Sequence, residues 1–174
     1  KLEKAGKLAP YYHAVSRPQS VEREAAHRAF PKRIEDWDIT RITRDFAATP
    51  AQLFRAHTDK EIFARWVGPD QMSTDITEWD ASTGGKWRYV ATRDGEEYAF
   101  HGSFHEVRPD RIVQTFTFDG YPDGVALETL TFEDLGDGRT RLHAASLCDT
   151  FEGRDGMLAS GMEVGVNEGY VKLD

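Results

Sequence analysis

The sequence predicts an α+β fold: a curved antiparallel sheet covered on one face by a long C-terminal helix, with two short helices after the first strand. Three observations predict it. Apolar and polar residues alternate from Asp38, two helix starts follow at Thr49 and Thr58-Asp59, and turn signals then recur about every ten residues between Gln71 and Leu147. A final helical stretch closes the chain. A sheet with one apolar face must be covered, and that helix is the one large element left to cover it.

Residues 1–35 show little periodicity before a short helical candidate at 21–30, which Pro31 ends. The stretch DITRITRDFAA alternates as a first strand, with Ile42 and Phe46 on one face. Thr49 followed by Pro50 is a helix start with proline at the first helical position, and Thr58-Asp59 is a second start. Gly68-Pro69 stops the pair. The following meander of about six strands turns at Asp94-Gly95, Arg108-Pro109-Asp110, 119–124 and Asp137-Gly138; the two Asp-Gly pairs supply the positive φ angles of tight hairpins. Residues 154–173 are helical by spacing, with Leu158, Met162, Gly165, Gly169 and Leu173 on one face. Glycines at 161, 165 and 169 would cost that helix ~3 kcal/mol against alanine, so something must offset them. They are expected to face the sheet, where their missing side chains admit aromatic rings or leave a cavity.

Bulk properties bound the function. A chain of 174 residues makes one domain with a core, here residues 36–174 after an extension over 1–35. The net charge is −8, yet residues 1–35 hold eight Lys/Arg against four Asp/Glu, so the arm is basic and the body acidic. An acidic body without a basic stripe argues against nucleic acid. The arm is expected to be solvated; docking on its own body or on a second subunit is the alternative, which leaves room for a homodimer. The single cysteine, Cys148, excludes an internal disulfide and a cysteine-based metal cluster. No run approaches the ~20 apolar residues of a membrane span and the first residues lack a signal-peptide core, so a cytoplasmic location is expected.

Alternation sorts the strands into faces. Trp87, Tyr89 and Ala91 point in; so do Tyr98, Phe100, Gly102 and Phe104; then Ile112, Gln114, Phe116 and Phe118; then Glu128, Leu130 and Phe132; and last Leu142, Ala144 and Ser146. Glu106, Gln114 and Glu128 are polar exceptions on or beside an apolar face, and burial without partners costs several kcal/mol. Glu106 is expected to cap a strand end. Gln114 and Glu128 either orient a ligand or are satisfied internally, Glu128 by an arginine at the rim. Trp37, Trp66, Trp79 and Trp87 could stack a flat ligand, although scattered aromatics are more often core.

Catalytic signatures are absent. There is no nucleophile elbow, phosphate-binding loop, dinucleotide fingerprint or zinc-protease helix motif. His101 and His105 lie four residues apart on a strand, ~13 Å, too far for one metal ion. His143 stands alone and is expected to be structural. Neither a cofactor, a metal nor a catalytic residue is assigned.

The segments ARWVGPD, GGKWRYV, GEEYAFHGSFHEVRPDRIVQTFTF, ETLTFEDLGDGRTRL and RDGMLASGMEVGVNEGYVKLD resemble, as an ordered set over about residues 39–174, the SRPBCC or START-like helix-grip superfamily. Within it they resemble the bacterial family of homologues of the activator of heat-shock-protein-90 ATPase. The resemblance implies a seven-stranded sheet gripping the long helix around a hydrophobic cavity, and a small hydrophobic or amphipathic ligand, lipid-like or aromatic. No catalytic motif is shared across the family. One departure is Ser146, where many relatives have a histidine near the end of the last strand. The candidate ligand-binding set is Trp66, Trp87, Tyr89, Phe104, Phe116, Leu130, Met162 and Gly165, with Gln114 and Glu128 as polar anchors. A cofactor-independent enzyme of the polyketide cyclase or hydratase sort, with Glu128 as base, and a protein-binding regulator of a chaperone ATPase are the alternatives.

Overall fold

In the computed structural model of the chain, residues 39–174 are described; the extension at 1–35 and its candidate helix lie outside them. The alternating stretch after Asp38 forms strand β1 (Ile39–Phe46). Thr49 then closes a reciprocal cap: its Oγ accepts from the Gln52 N–H at 3.3 Å while the Gln52 side-chain oxygen accepts from the Thr49 N–H at 2.9 Å. With Pro50 in the first turn, helix α1 (Pro50–Thr58) starts where the sequence predicts, a cap worth about 1 kcal/mol. The Asp59 carboxylate accepts from the N–H groups of Glu61 and Ile62 and starts α2 (Lys60–Trp66). Gly68, at φ 81°, turns the chain away.

Six strands follow: β2 (Ser73–Trp79), β3 (Lys86–Arg93), β4 (Glu96–Arg108), β5 (Arg111–Phe118), β6 (Val125–Gly136) and β7 (Arg139–Leu147). With β1 they make a seven-stranded antiparallel sheet in the order β1-β7-β6-β5-β4-β3-β2. Asp94-Gly95 and Asp137-Gly138 take positive φ at both positions, 55° and 85°, then 53° and 72°, which is the hairpin geometry that the dipeptides predict. Bulges near Ile76, Phe104 and Asp134 interrupt the register and bend the sheet.

The C-terminal helix departs from the expected continuous one. Gly161 adopts the left-handed conformation at φ 79° and divides it into α3 (Phe151–Ala159) and α4 (Met162–Leu173). Helix α3 buries none of its residues, because glycines and charges leave it no apolar stripe, and Leu158 is exposed. In α4 the inward set is Val166, Gly169, Tyr170 and Leu173, about one residue out of phase with the predicted face.

The glycines therefore do something other than expected. Gly161 is exposed and serves as the break. A Cβ on Gly165 would lie 3.2 Å from Pro69 Cγ, and one on Gly169 2.8 Å from the Trp66 carbonyl oxygen. Their partner is the segment after α2, which α4 also holds by Lys172 Nζ donating to Gly68 O at 2.7 Å and Glu168 accepting from the Asp70 N–H at 2.9 Å. Close backbone packing, and not room above the sheet, offsets the helix cost of residues 165 and 169. The core beneath is Phe46, Leu53, Trp66, Ile112, Phe132, Leu142 and Tyr170, all under 10% exposed. Among the described residues no helix is long and apolar enough to cross a membrane.

Candidate functional site

Alternation carries the inner side chains of β3 to β6 onto the concave face, where they form a continuous set of rings. Trp87 stacks on Tyr89 with centroids 5.6 Å apart and planes at 17°. Tyr89 meets Phe100 at 5.1 Å, and Phe100 meets Phe116 at 5.5 Å and Phe118 at 5.2 Å. Trp87 also meets Phe116, at 5.7 Å. Gly102 on β4 pairs with Trp87 and makes room for it: a Cβ there would lie 2.6 Å from the indole Cζ2 and would also collide with the Thr115 carbonyl oxygen. Trp87, Tyr89, Phe104 and Leu130 are buried, whereas Phe100, Phe116 and Phe118 keep part of their surface open.

The polar anchors meet in one row across three strands. Register places Gln114 beside Glu128 and Glu128 beside Ser146. Gln114 Nε2 donates to one Glu128 oxygen at 2.9 Å and Ser146 Oγ to the other at 3.2 Å. No arginine locks the carboxylate, contrary to the rim pairing held open from sequence. Burial pushes the Glu128 carboxyl above its ordinary pKa, and the two donors pull the other way. The phenols of Tyr89 and Tyr170 are both pushed up, first by burial and then by the charge of Glu128, so both lie within its field. Arg44, on the same side through β1, is spoken for: it forms an ion pair with Asp174 and lies over the rings of Phe46 and Tyr170 at 5.3 and 5.8 Å.

Seven of the ten sequence candidates share this face: Trp87, Tyr89, Phe104, Gln114, Phe116, Glu128 and Leu130. Three do not join it. Trp66 is core, its Nε1 donating to Ala56 O at 2.8 Å and its ring packed on His57 and Tyr170. Met162 begins α4 half-buried and outside the core cluster, and Gly165 faces Pro69. Glu106 is held by Arg108 at 2.9 Å and Arg111 at 2.7 Å. His101 pairs with Asp119 on the outer face and His143 with Glu133, both exposed.

Sequence reasoning missed three residues. Ser146 was placed on the correct face but given no partner. Tyr170 follows from the true phase of α4, which the break at Gly161 resets. His57 is buried between Trp66 and Phe132, at ring distances of 4.9 and 5.4 Å. Its Nδ1 bonds Leu53 O at 2.8 Å, its Nε2 has no partner, and burial lowers its pKa to about 4. Its position four residues after Leu53, on the apolar stripe of α1, was the available signal.

The model of the family described as Activator of Hsp90 ATPase homolog 1-like protein matches residues 47–174. The chain belongs to this family. Solved structures agree: a Rhodobacter sphaeroides protein is 30% identical, with a TM-score of 0.69 over 78% of this chain and 89% of its own. A Chromobacterium violaceum protein is 25% identical, with a TM-score of 0.68 over 78% and 94%. The AHSA1 protein from Silicibacter pomeroyi, 22% identical, shares the fold at a TM-score of 0.63 over 78% and 94%. A curated relative, a probable N-methylproline demethylase of Rhizobium meliloti, is 47% identical over 68 residues, 38% of this chain. The chain spans 10% of that protein's length. The AHSA1-like fold and the SRPBCC-type relationship expected from the motifs are thus established.

Proposed function

We propose that this AHSA1-like chain binds a small hydrophobic or amphipathic molecule against the concave face, with the rings of Phe100, Phe116 and Phe118 as the apolar wall and Glu128 as the anchor. The observation that carries this reading is a desolvated carboxylate with neutral partners beside rings that are partly open. Packing for stability alone favours an apolar residue at such a place, because burying a charge without a counter-charge is costly. A ligand that brings an apolar body and a polar end would use both features.

The test is native mass spectrometry and thermal shift of the full chain with lipids, aromatic polyketides and hydrophobic hormone-like molecules. At least one class should bind one-to-one and raise the melting temperature, and Phe116→Ala should weaken it by about tenfold, the scale of one lost aromatic contact. A panel without a hit, or affinities indifferent to Phe116, would overturn the reading.

One observation favours the enzymatic alternative. Glu128 is free of any arginine lock and its pKa is raised, as a general base of a cofactor-independent cyclase or hydratase requires. Turnover of a cyclisable poly-β-ketone that Glu128→Gln abolishes, with binding retained, would establish it. For the protein-binding alternative the relevant surface is the outer sheet face. There Arg88 and His101 share Asp119, and Val125, Leu127 and Leu147 are exposed. The face is thus more apolar at one end than its Lys86, Arg88, His101, Ser103 and threonine pattern predicts.

A further inference from the structure

Resting on the binding reading above, we infer that the occupant of the concave site is an organic cation: a protonated amine with an apolar or aromatic body, whose N–H donates to Glu128. Three independent features of the face converge on that class.

First, the anchor offers acceptors. Gln114 Nε2 and Ser146 Oγ each donate to a separate oxygen of Glu128, at 2.9 and 3.2 Å, so the partners present support the ionised carboxylate and leave a lone pair on each oxygen for a donor brought by the ligand. Charge-assisted bonds of this kind are about twice as strong as neutral ones. Second, the wall around the anchor is made of ring faces. Trp87, Tyr89, Phe100 and Phe116 form an unbroken chain of ring contacts at 5.1–5.7 Å, and an aromatic face carries the negative end of its quadrupole. Carboxylate and rings therefore present one sign of potential to the same occupant.

Third, a counter-charge for an anion is missing where it would be needed. Arg44 reaches this side through β1 and is committed to Asp174 and to the rings of Phe46 and Tyr170. The described ion pairs of Arg88, Arg108, Arg111 and Arg141 are with Asp119, Glu106, Asp110 and Asp45, away from Glu128. A fatty acid would place its carboxylate against Glu128 with nothing to neutralise either. A neutral alcohol could donate one hydrogen bond but would return none of the cost of burying the charge.

A matched trio tests the inference: 3-phenylpropylamine, 3-phenylpropan-1-ol and 3-phenylpropanoate, titrated calorimetrically into the full chain at pH 8. The amine should bind at least about tenfold more tightly than the alcohol, the scale of a charge-assisted hydrogen bond plus a cation–ring contact, and the acid more weakly than either. Glu128→Gln should bring the amine down to the alcohol's affinity and leave the alcohol unchanged. The comparison within the natural chain stands even if that variant fails to fold. Equal affinity for amine and alcohol, or preference for the acid, overturns the cationic class while leaving the hydrophobic-ligand reading intact. If none of the trio binds while the lipid and polyketide panel yields a hit, the cationic class is likewise overturned; silence in both sets overturns the binding reading as well.

Discussion

Two parts of the inner face are built from the same residue types and differ in what touches them. Around Phe132 the rings are closed from above: Phe54 and His57 of α1 lie 6.1 and 5.4 Å from it, and Tyr170 of α4 meets Phe46 edge-on at 5.5 Å. Around Phe116 every ring contact comes from the sheet itself, from Trp87 and Phe100, and Phe118 likewise meets Tyr98 and Phe100. The first part is core and the second is surface lined with core residues. Aromatic composition does not decide which a ring becomes; the landing of a helix on it does.

Truncation should separate the two parts most clearly. Phe132 is 6% exposed, so Phe132→Ala leaves a cavity and is expected to cost about 4 kcal/mol. Phe118→Ala, on the half-open wall, should cost roughly 1 kcal/mol, since much of its area is already in contact with water. Urea denaturation measures both. Equal losses would mean that the wall is as solidly packed as the core, and the distinction would collapse.

The closed part carries its own pH signature. His57 is held neutral, with a pKa lowered from 6.5 to about 4 by burial. In the unfolded chain it takes up a proton near 6.5, so the unfolded state binds more protons between those values. Stability is therefore fully present above pH 6.5 and falls as pH drops toward 4, by ~3 kcal/mol in all. His57→Phe, between Trp66 and Phe132, should flatten the profile between pH 7 and 5. Asp45, Asp59 and Asp119, whose carboxyls are held low by Arg141, by the Ile62 N–H and by Arg88, lose their partners' help only at lower pH. A step that persists between pH 7 and 5 in the variant would assign it to another group.

The same contrast explains what could be seen from sequence. Local chemistry was legible: Thr49-Pro50 caps α1, and both Asp-Gly pairs turn as expected, because a cap or hairpin is decided by a few neighbouring residues. Period two placed Gln114, Glu128 and Ser146 on one face, but alternation says nothing of register, so their meeting in one row was hidden. Gly161 was illegible for a different reason. A glycine at helical spacing looks alike whether it continues the helix or breaks it, and once it breaks, the phase of everything beyond shifts. That shift is why Met162 and Gly165 were assigned to the site and Tyr170 was not.

The smallest effect sharpens the comparison most, because its sign is unusual for a substitution on an inner face. Burial raises the Glu128 pKa above 4.5, so the native state binds more protons than the unfolded chain just above that value. Stability then falls as pH rises through the window from 4.5 to the raised pKa. Glu128→Gln keeps the volume and has no charge to bury, so the variant should match the natural chain near pH 4 and exceed it at pH 8, by roughly 1 kcal/mol or a few degrees in melting temperature. The equivalent change at Glu106, which is held by Arg108 and Arg111, should instead destabilise or do nothing. A bound amine should reverse the order at position 128, since it supplies the counter-charge that the fold leaves out. If Glu128→Gln is destabilising at pH 8 without ligand, the carboxylate is a structural anchor and the concave face has no vacancy in its charge balance for a partner to fill.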